Sequence, residues 1–216
     1  MRINKFIAQS TGMSRRAADA VIAHGRVTVN GSQPSTGYNV TEHDSVVLDD
    51  TLLATPVAFQ TIMLNKPRAY VCSRDGQGSR TIYELIPEDL HHLKPVGRLD
   101  KYSTGLLLLT NDGDLAQELT HPSRQKTKIY EVTLNKPLAP LHQQMISDHG
   151  VMLEDGPSKF IIERTDSHYI ITMHEGRNRQ IRRTFDALGY YVDSLHRTNF
   201  GNYSLGNLPL GEIKQL

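Results

Sequence analysis

GRLDKYSTGLLLLTNDG, residues 97–113, contains the densest apolar run of the chain, Leu106–Leu109. Gly105 precedes that run and Asn111-Asp112-Gly113 follows it, which predicts a short strand buried at the centre of a sheet. Asp100 lies in the loop that feeds the strand. A carboxylate beside a segment that water cannot reach is costly unless it has partners, so Asp100 is the first candidate for chemistry.

Outward from this strand the chain alternates strand and helix. Thr61–Leu64 is a short apolar run stopped by Asn65-Lys66-Pro67. Asp114–Thr120, with Leu115 and Leu119 four apart, reads as one short helix ending before Pro122. Lys128–Leu134 alternates, placing Tyr130, Val132 and Leu134 on the inward face of a strand. Phe160–Glu163 and His168–Met173 flank Thr165-Asp166-Ser167 as a hairpin, and Gln180–Leu188 is helical, with Ile181, Phe185 and Leu188 on one stripe before Gly189. The expected class is α+β with a large, mainly antiparallel sheet flanked by helices.

Residues 1–58 read as a separate small module plus linker, leaving 59–216 as the larger domain. Ile3, Phe6 and Ile7 mark an amphipathic helix broken at Gly12. Ser14 is placed to cap a second helix, Arg15–His24, with Gly25 just past its end. Arg26–Val29 is a short strand before the hairpin turn Asn30-Gly31, and Ser45–Leu48 is another strand. Asp49–Ala58 is weakly patterned. So thin a core suits a docking module.

Composition bounds the class. The 216 residues are 38% hydrophobic and 22% charged, which excludes a disordered tail protein. No apolar run approaches the ~18 residues of a membrane helix, and MRINKFIAQSTG lacks the apolar core of an export signal. A single cysteine, Cys72, excludes an internal disulfide and fits a reducing cytosol, so a cytoplasmic protein is expected. The ten histidines are scattered without zinc-site spacing, and no metal is expected. Net charge is +1, yet residues 1–31 carry +4 and residues 32–57 carry −4. Arg124, Lys126 and Lys128, then Arg177, Arg179, Arg182 and Arg183, form further basic clusters. Such clustering is what a phosphate-contacting face requires, although solvated surfaces can look the same.

RINKFIAQSTGMSRRAADAVIAHGRVTVNG, residues 2–31, resembles the S4 domain, an RNA-binding module, through its SRR-A helix start and GRVTVNG hairpin. That likeness places Arg2, Lys5, Ser14, Arg15, Arg16 and Arg26 near RNA. GRLDKYSTGLLLLTNDG resembles motif II of the pseudouridine synthases that modify ribosomal RNA, and the neighbouring pieces fit in order. LNKPRAYVCS at 64–73 resembles the first motif, KIYEVTL at 128–134 the strand carrying a Lys and a Tyr, and EGRNRQIRRTFDALGYYVDSLHR at 175–197 the last catalytic motif.

The resemblance implies that Asp100 is the nucleophile, that Arg98 steadies its loop and the RNA backbone, and that Tyr130 stacks on the uracil. It sets Lys128 beside the flipped nucleotide, pairs Arg182 with Asp100, and makes Leu195 an apolar wall of the pocket. Lys126, Arg177 and Arg179, from the basic clusters, are added as RNA contacts, and without the basic tail of many relatives the RNA affinity is expected to rest more on Arg15, Arg16 and Lys126. Physical chemistry agrees that a stacked uridine must leave the helix before attack and needs an aromatic face to receive it. Tyr130 could also be a core tyrosine, and Arg182 a surface partner of Asp186.

The implied reaction is isomerisation of uridine to pseudouridine with no cofactor or metal. Attack at C1′, action at C6 and abstraction of a ribose proton all stay open. The expected partner is ribosomal RNA or a pre-ribosomal particle, met by a monomer and not by a membrane protein. GVMLEDGPSK at 150–159 and the Arg-Arg after Ile181 lean toward the large-subunit rRNA branch over the small-subunit one. The alternative is a non-catalytic RNA-binding assembly factor, against which stands a carboxylate set where it would repel RNA. A glycosidase lacks a second carboxylate at a fitting position.

Overall fold

The computed structural model describes residues 1–35, 37–54 and 58–216, so of the expected linker 49–58, residues 55–57 lie outside the described residues. Contacts divide the chain into two compact units, Met1–Phe59 and Gln60–Leu216.

In the first unit, α1 (Ile3–Thr11) stops at Gly12, whose φ of 77° favours a residue without Cβ. The Ser14 hydroxyl accepts the Ala17 N–H at 3.1 Å and so caps α2 (Arg15–Ala23). Three strands follow, β1 (Val27–Val29), β2 (Val46–Leu48) and β3 (Thr51–Leu52), all antiparallel. The Asn30-Gly31 turn has both residues at positive φ, but it closes only the single bridge Val29–Ser32. Pro34 has no N–H to extend that ladder, and β1 pairs instead with β2. The tight turn into β3 is made by Asp49 and Asp50, both at positive φ, so part of the weakly patterned stretch is a strand. Ile3, Ile7, Ala18, Val27 and Val46 form the small core.

The second unit runs β4 (Thr61–Lys66), β5 (Lys94–Pro95), β6 (Thr104–Thr110), α3 (Gly113–Thr120), β7 (Lys128–Leu134) and α4 (Pro140–Gln144). It continues with β8 (Val151–Leu153), β9 (Gly156–Ser158), β10 (Ile161–Arg164), β11 (Tyr169–Met173), α5 (Gln180–Ala187), β12 (Val192–Phe200), β13 (Tyr203–Ser204) and β14 (Ile213–Gln215). The main sheet has the order β10-β11-β7-β12-β6-β4-β14, with β5 on β6 and β13 on β12, while β8 and β9 form a separate hairpin. β12 and β6 are parallel and the other pairs antiparallel, so the class is α+β with a mainly antiparallel sheet.

β6 is apolar throughout because both its faces are covered. Leu107 and Leu109 join the larger core with Tyr130, Val132, Ile171, Ile181 and Phe185, and Leu106 and Leu108 join a second core with Met63, Leu119 and Phe200. Central placement of β6 puts the loop 97–103 at the rim of the sheet, and Asp100 with it.

Candidate active site

Two side chains, one at the end of β4 and one from the segment after it, fix the loop on either side of Asp100. Lys66 is fully buried at the end of β4. Its Nζ donates to the carbonyl oxygens of Ser103 at 2.8 Å, Pro67 at 3.0 Å, Asp100 at 3.2 Å and Lys101 at 3.5 Å. An ammonium without water needs such a cage. Burial still pushes its pKa down to about 8, against the pull of Cys72 and Asp100. Cys72 brackets Leu99, accepting from its N–H and donating to its carbonyl, each at 3.4 Å, and burial raises the pKa of the thiol. The Ala69 N–H donates to the Lys101 carbonyl at 2.7 Å.

Asp100 therefore projects from an anchored backbone, with its side chain 31% exposed. Its ion pair is with Arg179, Nη1 to Oδ2 at 4.0 Å, and not with Arg182 as the sequence led us to expect. Arg179 lies just before α5, in the left-handed region at a φ of 47°. Arg182 sits inside the first turn of α5 and donates to the Val192 carbonyl at 2.8 Å and the Tyr102 carbonyl at 3.4 Å. Burial and then the Arg179 charge lower its pKa, against the pull of Asp100.

Asp100 opens into a cavity of about 890 Å³ whose wall includes Arg98, Lys128, Tyr130 and Leu195. Arg182 lines a smaller neighbouring hollow with Arg183 and Tyr191. Tyr130 and Leu195 are buried, Arg98 is exposed, and Lys128 is half-buried. Burial first, and Arg197 second, lower the Lys128 pKa. The arrangement offers the Asp100 carboxylate, an aromatic face and surrounding cations, with Glu175 also on the wall, which suits a flat polar ring attached to an anionic chain.

Several of the basic residues expected near RNA are engaged by their own chain. Arg177 is bound to its own chain: it donates to the Asp155 carboxylate at 2.9 Å and the Pro157 carbonyl at 2.7 Å, and it reaches Glu175. Arg183 joins it on Asp155 at 2.7 Å, and chiefly through that bond holds the Asp155 carboxyl below its ordinary range. Lys126 pairs with Glu118 at 2.9 Å. Arg26 pairs with Asp49, its Nε donating at 2.8 Å, so one carboxylate of the acidic segment neutralises a neighbour on its own module. Arg2 donates to the Gly37 carbonyl at 3.2 Å and Arg15 to Asn4 at 3.3 Å, both at the surface. Arg16 is exposed and Lys5 half-buried, and Ser14 is occupied as the α2 cap.

Sequence reasoning missed Lys66 and Arg197. A lysine closing a buried strand directly before proline is the available signal for the first. An arginine two residues after the inward Leu195 is the signal for the second. Among the described residues no group of three or more His, Cys, Asp or Glu side chains could hold a metal ion, and no helix is long and apolar enough to cross a membrane.

Residues 60–187 match the RNA pseudouridylate synthase family and residues 1–46 match the S4 domain. A ribosomal small subunit pseudouridine synthase A of Pasteurella multocida is 38% identical, covering 100% of this chain and 96% of its own length. A ribosomal large subunit pseudouridine synthase B of Pseudomonas aeruginosa is 36% identical over 100% of this chain, which spans 59% of that relative. A crystal structure of a pseudouridylate synthase superposes with a TM-score of 0.71 at 34% identity, covering 100% of this chain and 96% of that one. With a match of that extent in sequence and in fold, the chain belongs to the RNA pseudouridylate synthase family.

Proposed function

We propose that this chain isomerises a specific uridine of ribosomal RNA to pseudouridine, with Asp100 as the nucleophile. The observation that carries the reading is the anchored, accessible Asp100 carboxylate on the wall that also holds Tyr130. In the reaction the C1′–N1 bond breaks, the uracil turns within the pocket, C5 joins C1′, the C5 proton leaves to water, and N1 takes up a proton in its place. Electrons and atoms balance without oxidant or hydrolysis. Tyr130 supplies the stacking face, Leu195 the apolar wall, and Lys128 and Arg98 the contacts to the nucleotide. Arg179 and Arg182 compensate the Asp100 charge once RNA excludes water. The S4 module brings rRNA or a pre-ribosomal particle to the pocket, and the enzyme works in the cytoplasm as a monomer.

The target leans to large-subunit rRNA on the strength of GVMLEDGPSK and the Arg182-Arg183 pair. A small-subunit target is the second reading, favoured by the match over 96% of the length of the Pasteurella enzyme. The test is incubation with rRNA tritiated at uridine C5. Tritium should pass to water with the wild type, and Asp100→Ala should bind RNA as before and release none. Release by Asp100→Ala at the wild-type rate overturns the assignment. Mapping pseudouridines in both rRNAs from a strain lacking the protein separates the two targets.

A further inference from the structure

One buried cation has no part in the chemistry above. Arg197 is 2% exposed and lines the cavity that holds Asp100. On β12 it stands directly opposite Tyr130 of β7, so the two side chains leave the sheet on the same face. Its Nε donates to the Leu106 carbonyl at 2.9 Å, and its guanidinium lies 4.7 Å from the centre of the Phe200 ring. Its Nη2 is buried and has no partner. Lys128 lies 5.5 Å from the same ring, and its Nζ has only long contacts to the carbonyls of Lys126 at 3.4 Å and Glu175 at 3.5 Å. Among the described residues neither cation is in an ion pair.

Two like charges side by side with little water oppose each other, and an unpaired buried donor adds a further cost. An anion entering the cavity relieves both at once. We propose that Arg197 Nη2 and Lys128 Nζ form an anion subsite that holds a phosphodiester of the target nucleotide. The proposal rests on the reading of the cavity as the uridine pocket, since the register puts Arg197 beside the ring that stacks the base. Uracil oxygens are neutral at rest, whereas the phosphodiester is the permanent anion of RNA and fits the fork of an arginine.

The test compares uridine with its 5′- and 3′-(methyl phosphate) diesters, and adds inorganic phosphate, by NMR titration of the whole chain. One diester should bind roughly tenfold more tightly than uridine, the gain of a charge-assisted contact. That gain should vanish in Arg197→Gln and in Lys128→Met, the second of which alters a half-buried side chain and keeps the test available if the first fails to fold. Equal binding of uridine and both diesters, or a gain that survives in Lys128→Met, overturns the subsite. Phosphate binding that Lys128→Met abolishes, with no binding of uridine, would support the subsite and refute the uridine pocket.

Discussion

At the level of single residues, the position of Asp100 depends on a lysine that never meets substrate. Lys66 is an ammonium among four carbonyl oxygens, and its pKa falls from 10.5 to about 8 on folding. The unfolded chain therefore holds that proton more tightly than the native one, so stability from this group rises as pH increases from about 8 to 10.5 and its cost is fully present below 8. At about 1.4 kcal/mol per pH unit the gain is on the order of 3 kcal/mol. Urea unfolding of wild type and Lys66→Met at pH 7 and pH 10 should shift in favour of the wild type at the higher pH. A difference that stays constant with pH would refute the buried ammonium. The two arginines near Asp100 should also part company. Arg182→Gln strips the donors from the Val192 and Tyr102 carbonyls and should lower stability by about 1–3 kcal/mol. Arg179→Gln removes a half-exposed ion pair worth less than about 1 kcal/mol and should leave the unfolding midpoint nearly unchanged while lowering kcat a few-fold. Denaturation and single-turnover kinetics on both variants check the division.

At the level of elements, the junction of β6 with β12 decides whether Asp100 and Arg197 share one cavity. Gly105 has a φ of 104°, and a Cβ there would stand 2.3 Å from the Arg197 carbonyl oxygen and 2.6 Å from its nitrogen. Both neighbours are backbone, so they cannot swing aside. Gly105→Ala should cost more than about 2 kcal/mol through strain and lost pairing, read as a lower urea midpoint, and a neutral result would contradict the parallel register. β6 itself was legible in the sequence, because an all-apolar run between turn residues has few other uses. β12 was not. Its buried Val192, Leu195, Arg197 and Phe200 break the period of two, since bulges fall between Val192 and Ser194 and between Arg197 and Asn199. The same holds for the site. Tyr130 and Lys128 stand on one regular strand and Asp100 in the loop that feeds β6, and short motifs resembling a known family singled out all three as candidates. Choosing Arg179 over Arg182 as the partner of Asp100 required the three-dimensional placement of the residues before α5, which no pattern of apolar residues reveals.

At the level of the whole molecule, segregated charge means more than its near-zero sum. The −4 of residues 32–57 is partly neutralised within the module by the pairing of Asp49 with Arg26, while Asp44 keeps its charge and accepts from the neutral Asn30 amide at 2.7 Å. In the larger unit Asp155 holds Arg177 and Arg183, and Glu118 holds Lys126. What stays exposed on the first unit includes Arg15 and Arg16 at the start of α2, where unpaired backbone N–H groups favour a phosphate as well. On the proposed function, these two arginines bear on docking and leave the chemistry alone. Each phosphate they neutralise should add about 0.7 to the slope of log affinity against log salt for a single-stranded contact. Arg15→Gln combined with Arg16→Gln should thus flatten that slope by roughly 1.4 and weaken binding of full-length rRNA. Turnover of a short RNA at saturation should match the wild type, because neither residue belongs to the unit that holds Asp100. Filter binding across a salt series, paired with tritium release from the short substrate, reads both quantities. An unchanged salt slope would remove α2 from the RNA interface, and a fall in saturated turnover would show that the small module does more than dock.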